Sequence, residues 1–115
     1  MSAMGNSIDT SRLAPEIALI ASGLGARIRV ARQRRRLRVE DVAQKAQLAK
    51  KTVEAVERGA LTTSLGAYLA VLGSLNLTKE FALVADPGLD REGADLLYSP
   101  AERRVRPSRP VDNDF

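Results

Sequence analysis

The stretch Leu37–Gly59, LRVEDVAQKAQLAKKTVEAVERG, constrains the fold more than any other part of the chain. Apolar residues recur at helical spacing on both sides of a short interruption, Gln47-Leu48-Ala49. Val42 and Ala43 mark the inner face of one short helix, from Val39 to about Ala46. Glu40 and Asp41 stand in its first turn, where carboxylates favour the helix dipole. Val53 and Val56 mark the inner face of the next helix, from Lys50 to about Arg58. Gly59 supplies its stop, because glycine takes the left-handed conformation cheaply. Immediately upstream, seven arginines crowd the twelve residues from Arg27 to Arg38. A short helix with donors on its outer face, beside a dense cationic cluster, suits a domain that sets one helix into the major groove of DNA while neighbouring cations hold phosphates.

The flanking pattern is also helical. Pro15 suits a first helical turn, where its missing N–H costs nothing. From there a helical pattern runs to about Arg36, with Leu24, Ile28 and Ala31 on one face. Gly23 and Gly25 weaken it by about 1 kcal/mol each against alanine, so the segment reads as one bent helix or as a short helix followed by a longer one. Residues 60–63 read as a loop. Ser64 is a credible N-cap for a helix over Leu65–Ser74 that buries Leu65, Leu69 and Leu72 with Tyr68 beside them. Thr78 is placed to cap a helix over Lys79–Ala85, with Phe81 and Val84 on the core, and Asp86-Pro87-Gly88 stops it. A short amphipathic helix fits Leu89 to Tyr98. No segment alternates like a strand. The expectation is an all-α fold: a compact five-helix domain over 15–86, a disordered N-terminal segment over 1–14, and a C-terminal extension over 87–115. That extension is a short helix followed by a flexible tail, proline-rich and poor in apolar groups from Ser99 onward.

Composition narrows the chemistry. The 115 residues allow one domain plus tails, and with aromatics at 3% the core has to be aliphatic. The net charge is +4, unevenly spread. Residues 15–85 hold 12 Lys/Arg against 6 Asp/Glu, a net +6, and the rest hold 6 against 8, a net −2. The positive charge therefore sits on the candidate folded core, as polyanion binding requires. Without cysteine or histidine there is no disulfide, thiolate or imidazole metal site, zinc finger or Ser-His-Asp triad, and no cofactor is expected. No apolar run approaches the roughly 20 residues that span a bilayer, and residues 1–14 do not read as a signal peptide, so the cytoplasm is the expected location. No cluster of acid, base and nucleophile points to an enzyme.

The stretch Leu24–Leu77 resembles the helix-turn-helix of the lambda-repressor-like (Xre/Cro) family of bacterial regulators. Ile28 and Ala31 match its first helix, Val42-Ala43 its second, Val53, Val56, Glu57 and Gly59 its third, and Ser64-Leu65 the opening of its fourth. Arg36 and Gln47 stand where the family often has glycine, Arg38 and Ala49 where it usually has Ser/Thr caps, and Val39 where it often has a phosphate-contacting glutamine. The resemblance implies that Lys50, Lys51 and Ala55 touch bases, and Thr52 and Glu54 share the outward face of the same helix. Lysine donates to guanine O6 and N7, threonine or alanine meets a thymine methyl, and glutamate accepts from cytosine N4 or excludes wrong phosphate registers. Arg36, Arg38, Gln44, Lys45 and Arg58 are the expected phosphate contacts. Arg32 and Glu57 are expected to pair as a structural tie between the first and third helices.

A narrower resemblance, to HipB-type antitoxins, rests on the order of Ser64, Leu65, Gly66, Tyr68, Val71, Leu72, Asp86, Pro87, Asp90, Gly93, Arg104, Val105 and Arg106. It implies a homodimer that binds a palindromic operator in double-stranded DNA, represses its own operon and holds a HipA-like kinase toxin. The competing class is a protein-interaction module whose main task is the toxin. A sequence-tolerant RNA binder is disfavoured, because no aromatic stacking residues accompany the cations.

Overall fold

The computed structural model describes residues 8–98. Among them are five α-helices and no strand: α1 Pro15–Arg34, α2 Val39–Ala46, α3 Lys50–Arg58, α4 Leu65–Ser74 and α5 Arg91–Leu97. They fall into two compact units, one ending at Thr78 and the other beginning at Lys79. The tail expected from Ser99 onward and the first seven residues lie outside the described part. Just before α1, the Asp9 carboxylate accepts from the backbone of Ser11 and closes a 3-10 turn over Thr10–Arg12.

The first unit is built on α1 to α4. Pro15 opens α1, which runs unbroken through Gly23 and Gly25, so the one-helix alternative holds. Its core is aliphatic: Ile28 from α1, Val42 from α2, Val53 and Val56 from α3, and Val71, Leu72 and Leu75 from α4 and its end. Each such side chain contributes roughly 1.5–3 kcal/mol on burial. Ser64 caps α4 by accepting from the Ala67 N–H at 3.1 Å, and the buried Tyr68 donates its hydroxyl to the Ala60 carbonyl at 2.7 Å. That bond pins the 60–63 loop, and burial holds the Tyr68 phenol above its ordinary pKa.

The inward face of α4 corrects the sequence expectation. It is centred on Tyr68, Val71 and Leu75, and Leu65 is 59% exposed. The segment LGAYLAVLGS carries no charge to mark its outer side, so apolar spacing alone does not set its rotation.

All four helices of this unit end in the same way. A residue with positive φ follows each last turn: Arg36 (57°), Gln47 (59°), Gly59 (73°) and Asn76 (61°). The next residue, Leu37, Leu48, Ala60 or Leu77, donates back to the carbonyl five positions earlier, at 2.9–3.2 Å. This is the Schellman closure, with an apolar residue just past the helix. Only Gly59 among the four is glycine, for a reason beyond its φ. A Cβ there would collide with the backbone of Ala21 and Ser22, and a Cβ on Gly25 would lie 2.5 Å from Gly59 N and 2.6 Å from the Val56 and Glu57 carbonyl oxygens. Gly25 and Gly59 thus form a notch through which α1 crosses the end of α3.

The second unit holds no α-helix over Lys79–Ala85. Phe81–Leu83 form a single 3-10 turn, and Val84 is exposed. The chain turns at Asp86-Pro87-Gly88, where the Asp86 carboxylate accepts from the Gly88 N–H. Asp90 caps α5 by accepting from the Gly93 N–H at 2.9 Å. No helix of the described residues is long and apolar enough to cross a membrane.

Candidate nucleic-acid interface

The surface in question is built where α2 begins and α3 turns outward. Val53 and Val56 anchor α3 on its inner side with no measurable exposure. At 3.6 residues per turn the opposite side carries Lys51 and Arg58, flanked by Glu54 and Ala55. Lys51 and Arg58 are exposed, whereas Thr52, Glu54 and Ala55 are half-buried. Lys50, the first residue of α3, stands toward the start of α2. Gln44 and Lys45 are exposed on the last turn of α2, and Arg36 and Arg38 are exposed on the link between α1 and α2.

Neither α2 nor α3 starts on a hydroxyl cap, and only α2 has a substitute. Arg38 offers no side-chain acceptor at the N-cap of α2. Asp41, three residues on, reaches back to accept from the Arg38 backbone N–H at 2.7 Å, one half of a capping box. The same carboxylate lies 3.3 Å from the Arg38 guanidinium. The backbone bond, then the guanidinium bond, holds the Asp41 carboxyl below the usual aspartate range. The sequence carried this signal in the Arg38-to-Asp41 spacing. Ala49 begins α3 with no side-chain cap at all.

Arg32 of α1 reaches Glu57 of α3 through two parallel bonds, Nε to Oε2 at 2.6 Å and Nη2 to Oε1 at 3.0 Å. Its remaining terminal nitrogen donates to the Leu37 carbonyl at 2.9 Å. The two side chains are 11% and 8% exposed. The Glu57 hydrogen bond raises the Arg32 pKa against the opposing effect of burial. With three donors occupied inside the fold, this guanidinium ties α1, the α1–α2 link and α3 together.

One pairing has no counterpart in the sequence reading. Glu40, in the first turn of α2, places Oε2 3.1 Å from the Lys50 ammonium, with both side chains about half exposed. The two residues lie ten positions apart across the turn, a spacing that carries no local signal. The backbone bond at Glu40 and the bond from Lys50 hold its carboxyl below the ordinary glutamate range.

The described residues therefore present a short outward helix with amine, hydroxyl, carboxylate and methyl groups, beside exposed guanidinium groups. That is the chemistry of base-edge and phosphate recognition. No curated protein matches the chain. A family model described as a helix-turn-helix domain matches residues 23–80, the segment that contains α2, α3 and α4.

Proposed function

Because this chain belongs to the helix-turn-helix domain family, we propose that it is a sequence-specific regulator of transcription that binds double-stranded DNA as a dimer on a palindromic operator, and that it represses its own promoter. The observation that carries this reading is the placement of α3, anchored by Val53 and Val56 and presenting Lys51, Glu54, Ala55 and Arg58 on the far side. Lys50, Lys51, Thr52, Glu54 and Ala55 read bases, and Arg36, Arg38, Gln44, Lys45 and Arg58 hold phosphates. Titration against the DNA upstream of its own reading frame and against a scrambled duplex, at about 150 mM salt, tests this. The expected result is a clear preference for the upstream DNA. Lys51→Ala should cost about 1–3 kcal/mol and relax preference at one base pair. Arg36→Ala should weaken all sequences alike and flatten the salt slope by about 0.9. Equal affinity for both duplexes overturns the reading.

A second reading, a HipB-like antitoxin that holds a HipA-like kinase toxin, draws support from the second unit. Leu83, Val84, Leu89, Leu97 and Tyr98 are large apolar side chains left exposed within sixteen residues, a density that marks protein-interaction surfaces. Pull-down of a kinase encoded beside this gene tests it. No recovery by the wild-type chain, or full recovery by a variant with Leu89, Leu97 and Tyr98 replaced by serine, removes this second reading.

A further inference from the structure

We propose that Glu40 is a positioning residue for DNA specificity: it holds the Lys50 ammonium so that this lysine reads a base edge instead of clamping a phosphate. The inference rests on the DNA-binding reading above.

The argument starts from an anomaly of charge. Glu40 is an exposed carboxylate on the face where cations gather, and its negative charge acts on Arg32, Arg38 and Lys50. A carboxylate there weakens any contact with a polyanion. Its other role, favouring the dipole at the start of α2, is shared by Asp41 one residue later, which already satisfies the Arg38 N–H. What sets Glu40 apart is its partner. Its Oε2 lies 3.1 Å from Lys50 Nζ, and Lys50 opens α3 on the flank nearest α2.

A free lysine is a flexible point charge that serves any phosphate equally well. Paired with a carboxylate, it differs in two ways. Its charge is offset, so its contact with phosphate releases little counterion. One of its three N–H donors is committed, and the other two keep a defined direction, as bonding to the adjacent guanine O6 and N7 requires. Glu40 thus exchanges general affinity for discrimination. Its own contact with DNA is not needed.

The test uses the full-length chain and a pool of randomised duplexes, so that the operator need not be known in advance. The wild-type protein should enrich a two-fold-symmetric site. Glu40→Gln should enrich a site with one base pair per half-site blurred, bind scrambled DNA several-fold more tightly, and steepen the salt slope by about 0.9, the increment for one added phosphate contact. Lys50→Gln should blur the same base pair without gaining general affinity. In the Lys50→Gln background, Glu40→Gln should cause no further loss of discrimination, an outcome that a purely structural role for Glu40 in α2 would not produce. Circular dichroism of each variant shows whether α2 and α3 remain folded. If Glu40→Gln destroys the helical signal, Glu40→Asp replaces it, with a partial blurring expected from the shorter reach. Several outcomes separate the claims. No enriched site with the wild-type protein overturns the DNA-binding reading and this inference with it. An enriched site that Glu40→Gln leaves sharp overturns this inference alone. Loss at a base pair that Lys50→Gln leaves intact means Glu40 reads that base itself, and also overturns it.

Discussion

Residues 39–58 and residues 79–98 are two stretches of twenty residues with nearly the same apolar content, nine residues in the first and ten in the second. The first buries Val42, Ala43, Val53 and Val56, and the second buries no described residue. Quantity of apolar surface therefore does not decide which stretch contributes to a core. Spacing does. In the first stretch Val39, Val42, Ala43 and Ala46, and then Val53 and Val56, follow the three-and-four spacing of a helix, so each helix turns one apolar face inward and, Glu57 excepted, leaves its charges outside. In the second, Phe81 to Ala85 run contiguously, and Leu96, Leu97 and Tyr98 run contiguously again. A helix through such runs presents apolar groups all round and defines no single inner face.

The contrast can be broken most decisively at the buried ion pair. Glu57→Ala leaves the Arg32 guanidinium buried without its partner, and should cost about 3–5 kcal/mol of stability in a denaturant titration. The second stretch contains no described interaction of that size, so no single substitution within it should approach this loss. A smaller but more direct comparison sets like against like. Val53→Ala should cost about 2 kcal/mol, from lost transfer energy and the cavity left behind, whereas Val84→Ala should change stability by less than about 0.5 kcal/mol. Equal losses at the two valines would mean that the second stretch is part of the same cooperative core. The smallest effect concerns backbone conformation. Gln47 (φ 59°) and Ala85 (φ 63°) both hold the left-handed region without being glycine. Gln47→Gly should add about 0.5–1 kcal/mol of stability and so raise the main melting transition, because relief of strain outweighs the added freedom of the unfolded chain. Ala85→Gly should leave that transition in place.

The same contrast explains what was legible beforehand. The bounds of α2, α3 and α4 follow from the sequence because each has a punctuating residue beside a spaced apolar pattern: the Glu40-Asp41 first turn, Gly59 and Ser64. The helix expected over Lys79–Ala85 had Thr78 as its cap and Asp86-Pro87-Gly88 as its stop, but its expected inner pair, Phe81 and Val84, lies within the unbroken apolar run Phe81–Ala85, which singles out no one face, and only a 3-10 turn forms. Leu65 was misplaced for a related reason, since an uncharged helix does not announce which side is out. At the candidate interface, the outward residues of α3 could be read by counting from Val53 and Val56. The Glu40–Lys50 pair could not, because its partners meet only once the turn has folded. Arg36 and Gln47 show the limit of a glycine rule. The left-handed φ recurs at each helix end of the first unit, yet glycine is required only where another backbone comes close.

That close approach at Gly25 and Gly59 makes the α1–α3 crossing a pivot. The notch lies at the C-terminal end of α3, and the nine residues that run back to Lys50 form a lever about 13 Å long at 1.5 Å per residue. A tilt of about 5° at the pivot carries the Lys50 end about 1 Å sideways, a misplacement large enough to spoil a hydrogen-bonding site. The bearing of the helix proposed to read DNA is thus set at the end farthest from its first lysine, by two residues that have no side chains to offer.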